Sequence, residues 1–372
     1  MTKTVGVIGG GQLARMMIPA AINLGLTIRV LAENEGEPAA LAVTSLGSHL
    51  DVDDVLRFAQ TVDVVTFDHE HVPQSVLREL VARGVNVQPG PDALQFAQDK
   101  IAMRRRLAEL GIPVPDWAEV TSAAELAAFL ADHGGEGVLK TATGGYDGKG
   151  VRVVRDVAEA ADWLASGEPL LVEELVEFRR ELAQLVARRP SGELVLWPVV
   201  ESVQRDGVCA EVIAPAPRSA GKLADVAADI ATNVAESLGV TGVLAVELFE
   251  TTDDRLLVNE LAMRPHNTGH WSIDGSTTSQ FEQHLRAVLD LPLGATGCRD
   301  PWSVMVNVLG GPATGTIADR YDAAFADQPT VKFHFYDKTP RPGRKVGHVT
   351  AGGEDLDEVV YRARAASAFF DS

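Results

Sequence analysis

The sequence predicts an α/β protein that opens with a doubly wound parallel sheet, passes through an α+β central part and ends in a β-rich part. Three observations carry this reading. A β-rich stretch at 4–8 runs straight into Gly9-Gly10-Gly11 and then into a helical pattern. Strand-like and helix-like segments alternate at short intervals as far as residue 88, the pattern of a parallel sheet. From residue 138 onward short β-rich runs outnumber helical ones.

In order along the chain, strands are expected at 4–8, 26–32, 62–67 and 85–88, with helices at 12–24, where Pro19 should introduce a kink, and at 76–83. Turn residues cluster at Gln88-Pro89-Gly90-Pro91 and mark the end of a first domain. A helix over 99–110 stops at Gly111, with Pro113 beyond it. Short strands at 138–140 and 151–154 flank the loop 141–150. Further strands are read at 170–174, 182–186, 208–213 and 243–249. The Ala-rich segment 222–238 is helical and ends at Gly239; 280–289 is a second helix, and 292–297 reads as a linker. Strands at 303–308 and 332–336 and a helix at 356–370 close the chain. No repeat or low-complexity tract is evident beyond the richness in Ala.

The 372 residues suffice for two or three domains at roughly 150 residues each. Apolar residues make up 46% and charged residues 23%, so a buried core is expected rather than disorder. With 33 basic against 52 acidic residues the net charge is −19, which repels nucleic acid at long range. A small anionic substrate remains compatible, because screening limits that field to about 8 Å at physiological salt; local basic residues must then do the capturing. Two cysteines, Cys209 and Cys298, make neither a disulfide framework nor a Cys-rich metal site. The N-terminal apolar run reaches the glycines too soon for a signal peptide, and runs such as 16–22 fall short of the ~20 residues of a spanning helix. A cytoplasmic protein with no membrane or nucleic-acid partner is expected.

Gly9-Gly10-Gly11-Gln12-Leu13-Ala14 matches G-x-G-x-x-A between a strand and a helix, and Glu33 follows 24 residues after Gly9. Glycines let the backbone approach a phosphate that helix N–H groups then hold, which suggests a nicotinamide dinucleotide. A tight strand-to-helix turn with no ligand explains the same residues.

A second loop, Lys140-Thr141-Ala142-Thr143-Gly144-Gly145-Tyr146-Asp147-Gly148-Lys149-Gly150, lies between two strands and holds four glycines in its last seven residues. Such a flap can close its backbone over phosphates while Lys140 supplies a point charge. It is not a Walker loop, since no helix follows; an ordinary glycine-rich hairpin is the plainer reading. Further on, the backbone of Glu173-Glu174-Leu175-Val176 can pair with an adenine edge and Glu181 can hold ribose hydroxyls, although acids at strand ends are commonly just solvated.

Glu247 sits alone inside the apolar run 243–249, and the next strand leads into Asn259-Glu260, then Arg264, His266 and Asn267. If the two strands pair antiparallel, Glu247 and Glu260 converge. Two carboxylates and the Asn267 amide are the hard oxygen ligands Mg²⁺ takes, with phosphates and water completing its shell. Arg264 can stabilise charge on a transferred phosphoryl group. The competing explanation is a structural salt bridge. Lys338, Arg341, Arg344 and Lys345, with His348 beyond, place four positive charges within eight residues of an acidic chain. They form either a solvated turn or a phosphate clamp for a second, anionic substrate.

Taken together these residues resemble the ATP-grasp superfamily, and within it the N(5)-carboxyaminoimidazole ribonucleotide synthetase family. The resemblance runs from Gly9–Leu13 through 144–150 and 259–271 to Tyr336-Asp337-Lys338 and 342–348, nearly the whole chain. It implies an N-terminal domain over 1–98, an ATP-grasp domain over 99–290 with a small mobile lobe at about 118–172, and a C-terminal domain over 291–372. It further implies a carbon–nitrogen ligase of purine biosynthesis, typically a homodimer. ATP phosphorylates bicarbonate to carboxyphosphate, which carboxylates the exocyclic amine of 5-aminoimidazole ribonucleotide. Carried over residue by residue, ATP should meet Lys100, Lys140, Gly145, Tyr146, Asp147, Gly148, Lys149, Gly150, Val151, Glu173, Glu174, Leu175, Val176, Glu181, Gln204, Asn259 and Glu260. Mg²⁺, or Mn²⁺, should be held by Glu247 and Glu260 with Asn267 nearby. Gln12, Leu13, Glu70, Lys149, His266, Asn267 and Lys345 should bind the ribonucleotide and bicarbonate, and Asp147, Arg264, Lys338 and Arg344 should act in catalysis, Asp147 orienting or deprotonating the amine.

Three departures stand out. Asp68-His69-Glu70-His71-Val72 replaces the family's Glu-x-Glu-Asn-Val; Lys100 stands where Arg is frequent, and Gln204 where His is common. The rival expectations are an ATP-grasp ligase with another acyl donor, a nicotinamide-dependent oxidoreductase, and a non-catalytic ATP-binding regulator.

Overall fold

The computed structural model of the chain describes residues 2–145, 150–205 and 207–370. The N-terminal part contains, in order, β1 (Thr4–Ile8), α1 (Gln12–Asn23), β2 (Thr27–Ala32), β3 (Val43–Leu46), α2 (Val52–Ala59), β4 (Val64–Phe67), α3 (Gln74–Ala82) and α4 (Pro91–Gln98). The four strands form a parallel sheet in the order β3-β2-β1-β4. Its centre is apolar on both faces, with Val5, Val7 and Ile8 fully buried, as a parallel sheet covered by helices requires. The strand expected at 85–88 is reduced to a single parallel bridge between Val65 and Val87, held by the Val65 N–H on the Asn86 carbonyl and the Gln88 N–H on the Val65 carbonyl, after which the chain enters the turn at Pro89-Gly90. Helix α1 continues through Pro19.

Next come α5 (Lys100–Glu109), β5 (Trp117–Val120), α6 (Ala123–Asp132), β6 (Gly137–Thr141), β7 (Val151–Val154), α7 (Ala161–Leu164) and β8 (Leu170–Glu173). Strands β5-β8-β6-β7 make a small antiparallel sheet closed by Leu126, Phe129 and Leu130 of α6. Helix α6 starts on a capping box between Ser122 and Glu125, a signal present in the sequence but absent from the elements expected above.

The remaining elements are β9 (Phe178–Arg188), β10 (Leu194–Leu196), β11 (Val200–Arg205), β12 (Val208–Ala214), α8 (Lys222–Ser237), β13 (Gly242–Thr251), β14 (Leu256–Ala262), α9 (Ser272–Gly275), α10 (Gln280–Val288), β15 (Trp302–Leu309), α11 (Tyr321–Asp327), β16 (Lys332–Phe335), β17 (Lys345–Gly353) and α12 (Leu356–Ala368). Among the described residues one large sheet runs β14-β13-β9-β11-β12-β15-β17-β16, with β10 on β9. The C-terminal strands therefore extend the central sheet, through β12 pairing with β15.

Helix α10 fastens the N-terminal part to this sheet. Phe281, Leu285 and Val288 share one apolar cluster with Leu13, Ala14, Met17 and Ile18 of α1. On the same helix, His284 is fully buried and bridges the two parts: its Nδ1 accepts the Val243 N–H at 3.0 Å, and its Nε2 lies 2.8 Å from Thr66 Oγ1.

Candidate active site

The first glycine loop ends at the N-terminus of α1, where free backbone N–H groups attract an anion. The chain fills that position with a carboxyl of its own, which burial pushes above its ordinary range while the Ala14 N–H and the Arg264 charge oppose the rise. Asp68, just after β4, accepts the Gly11 N–H and the Ala14 N–H, each at 2.8 Å. A Cβ on Gly11 would lie 2.0 Å from Asp68 Oδ2, so the close approach explains this glycine. Gly9 has φ +103, a conformation that favours glycine, beside Asp68 and His69. The Asp68 side chain thus occupies N–H groups that a dinucleotide pyrophosphate would use, which argues against the oxidoreductase reading of this motif.

At the other side of the site, β6, β8 and β14 bring Lys140, Glu173 and Asn259 together. Lys140 Nζ lies 2.6 Å from Glu173 Oε2 and donates to Asn259 Oδ1 at 3.2 Å. Arg104 of α5 pairs with the other Glu173 oxygen and donates through Nη2 to the Asn259 carbonyl at 2.6 Å. Burial works to raise the Glu173 carboxyl, but Arg104 and then Lys140 hold it below the usual range. The Glu173 side chain is thus committed to these cations, leaving the backbone of 173–176 as the part available to an adenine. Glu174, Leu175 and Val176 line a cleft of about 260 Å³ with residues 251–253, Arg255 and Leu257.

Strands β13 and β14 do pair antiparallel, with Glu247 opposite Glu260. Immediately beyond, Leu248 pairs with Val258, so Asn259 is the extra residue of a bulge; bulges re-aim side chains and free backbone groups beside functional sites. Lys100, at the start of α5, reaches Glu260 Oε1 at 3.3 Å and the Gly144 carbonyl at 3.5 Å. Burial, then the Glu260 and Glu181 charges, push the Glu247 carboxyl up to about 8. Burial likewise lifts Glu181 to about 7, with a hydrogen bond from Gln204 and the Lys140 charge opposing it. Glu247 and Glu260 thus line one wall of the site, with the Glu181 carboxyl close enough to influence Glu247. Among the described residues no three His, Cys, Asp or Glu side chains gather as a complete metal cage. Such a wall fits Mg²⁺, which commonly takes one or two carboxylates and completes its shell with phosphates and water.

His266 contacts this wall, its Nε2 3.1 Å from Glu247 Oε1. Burial, followed by the nearby charges of Arg264 and Lys345, keeps its imidazole neutral, with a pKa well below the ordinary value. Its Nδ1 caps the following 3₁₀ turn by accepting the Thr268 N–H, so Nε2 carries the proton and donates to Glu247. Asn267 is buried with its amide beside the Cys209 thiol. Arg264 instead turns to the N-terminal part, where its Nε meets Glu70 Oε2 at 2.7 Å.

The basic hairpin between β16 and β17 is divided in its contacts. Lys338 Nζ donates to Gln12 Oε1 at 2.5 Å and lies 5.7 Å from the Tyr336 ring centre. Arg344 turns back to the Thr339 carbonyl of its own hairpin at 3.0 Å. Lys345, at the start of β17, is near enough to influence Glu247 and His266. Leu13 is buried in the α1 core. Gly145, Gly150 and Val151 border the second loop; Tyr146, Asp147, Gly148 and Lys149 lie outside the described residues. Arg104 and Asp68 are the two members of this constellation to which the sequence reading assigned no role.

Comparison with known proteins gives three matches along the chain: a ribonucleotide synthetase preATP-grasp domain over residues 1–98, an ATP-grasp domain over 105–281 and a phosphoribosylaminoimidazole carboxylase C-terminal domain over 303–362. An N5-carboxyaminoimidazole ribonucleotide synthase of Mycobacterium bovis is 53% identical over 371 residues, covering 98% of this chain and 86% of that protein. The carboxyaminoimidazole ribonucleotide synthase of Aspergillus clavatus, solved with ATP, superimposes with a TM-score of 0.90 at 33% identity, covering 99% of this chain and 98% of the other. The Aspergillus clavatus enzyme solved with ADP and 5-aminoimidazole ribonucleotide gives 0.89 at 32% identity, with the same coverage.

Proposed function

The chain belongs to the N5-carboxyaminoimidazole ribonucleotide synthase family of ATP-grasp ligases, and from that premise we propose how its residues divide the reaction. The enzyme carries out the ATP-dependent carboxylation of 5-aminoimidazole ribonucleotide in purine biosynthesis. In our reading the carbon source is bicarbonate. Its oxygen attacks the γ-phosphorus, ADP leaves and carboxyphosphate forms; the exocyclic amine then takes the carboxyl group, with loss of a proton and phosphate.

Lys100 and Lys140 bind the ATP phosphates, and Gly145, Gly150 and Val151, with the loop between them, close over the nucleotide. The backbone of 173–176 binds adenine, Glu181 with Gln204 binds ribose, and Asn259 completes the nucleotide pocket. Glu247 and Glu260 would hold Mg²⁺ (or Mn²⁺), with Asn267 nearby; the ion, when bound, neutralises phosphate charge. Arg264 stabilises charge on the phosphoryl group in flight. His266 hydrogen-bonds the carboxylate wall and, with Gln12, Leu13, Glu70 and Lys345, shapes the ribonucleotide and bicarbonate pocket. Lys338 and Arg344 clamp the ribonucleotide. Asp147 and Lys149 act on the amine and bicarbonate. Among the described residues no helix is long and apolar enough to cross a membrane, and we place the protein in the cytoplasm as a homodimer.

The observation that carries this division is the β13–β14 register, which sets Glu247 against Glu260, while Lys100 meets Glu260 and Lys140 meets Asn259. ADP release with MgATP and bicarbonate, with and without 5-aminoimidazole ribonucleotide, tests it. Strong stimulation by the ribonucleotide, lost without bicarbonate, is expected. ADP release that needs a different acceptor would overturn the substrate assignment.

A further inference from the structure

We propose that Arg104 is a positioning residue for ATP: by sharing the Glu173 carboxylate with Lys140 and holding the Asn259 carbonyl, it leaves Lys140 a net charge and a fixed place for the nucleotide. The proposal rests on Lys140 as a phosphate-binding residue. Arg104 belongs to a run of three arginines on α5. Arg105 and Arg106 pair with Glu119 and Glu109 at the surface, whereas Arg104 is fully buried.

Two relationships give it a role beyond packing. The first is charge balance. A lone Lys140–Glu173 pair would be neutral and would hold the ammonium against the carboxylate, offering little field to a phosphate. With Arg104 on the second oxygen, two cations share one anion, so this triad keeps one positive charge in excess; burial pulls the Lys140 ammonium below its ordinary range, Glu173 opposes that pull and the Arg104 charge adds to it. The second is the bulge. Asn259 is the residue without a partner in the β13–β14 ladder, so its carbonyl is free for Arg104 Nη2 at 2.6 Å and its side chain for Lys140 at 3.2 Å. One planar guanidinium thus bridges a carboxylate and a carbonyl from different strands, which a lysine ammonium does less well.

The test is steady-state ADP release by the full chain, titrating MgATP at saturating ribonucleotide and bicarbonate, then titrating the ribonucleotide. Arg104→Met is expected to raise KM for MgATP about tenfold or more, the scale of a lost charge-assisted hydrogen bond. Its KM for the ribonucleotide should stay within about twofold of wild type, and Arg104→Lys should recover part of the loss. An unchanged KM for MgATP in folded Arg104→Met, or equal rises for both substrates, would overturn the proposal. Should Arg104→Met fail to fold, Arg104→Lys decides the matter: a rise confined to MgATP supports the role, and wild-type behaviour refutes it. Lys140→Met separates the underlying reading. If that variant binds MgATP normally, the assignment of Lys140 fails; if it is impaired while the Arg104 variants are not, only the present inference fails.

Discussion

Glu247 and Glu260 face each other across the antiparallel strands β13 and β14, the first half-buried against His266 and the second with its side chain 47% exposed beside Lys100. Like charges opposite one another destabilise a sheet. In the free protein the raised Glu247 carboxyl and the Lys100–Glu260 ion pair relieve that repulsion, and a bound cation would favour the ionised form of Glu247.

Glu260→Gln should abolish MgATP turnover without unfolding the protein, since the exposed side chain is replaced by a near-isostere and loses only charge and the Lys100 ion pair. ADP release and far-UV circular dichroism check this. Wild-type turnover would refute the metal assignment.

Lys338→Ala should weaken the ribonucleotide more than ATP, because the ammonium contacts Gln12 in the N-terminal part, whereas Lys100 and Lys140 lie against Glu260 and Glu173. Removal of a charged hydrogen-bonding group should raise KM for the ribonucleotide by about tenfold or more. Equal changes in the two KM values would speak against the clamp.

Asp68→Ala should lower stability by about 1 kcal/mol, the usual scale for losing a carboxylate that satisfies helix N-terminal N–H groups. Asp68 accepts from both Gly11 and Ala14. Urea unfolding measures the loss. An unaltered midpoint would mean that water replaces the carboxylate at no cost. Because Asp68 fills the anion position, wild-type protein is also expected not to enhance NADH fluorescence.

His284 links stability to pH. Burial lowers its pKa to about 3 from an ordinary value of 6.5, so the unfolded chain binds the extra proton between those values. Stability conferred by the neutral imidazole is complete above pH 6.5 and declines as pH falls through this window, at up to about 1.4 kcal/mol per pH unit. His284→Gln should be less stable at pH 7, and its deficit should shrink toward pH 5. Thermal melts across that range provide the measurement; a constant deficit would exclude His284 as the source.

Local sequence determined much of this protein. The β-rich run before Gly9, the alternating N-terminal pattern, the flap flanked by two strands and the carboxylates at 247 and 260 were legible because they depend on periodicity, turn chemistry and a polar residue in an apolar run. Tertiary structure decided what those residues meet. Asp68 caps α1 from 57 residues away in the case of Gly11, and Asn259 reaches Lys140 across 119. Arg104 alone of three neighbouring arginines turns inward, and the C-terminal strands join the central sheet instead of closing one of their own. Local propensity sets where strands and helices form, while register and docking set which distant side chains share a space. A single unpaired residue at Asn259 is enough to redirect a carbonyl and an amide into the site, and no short-range pattern announces where such a bulge will fall.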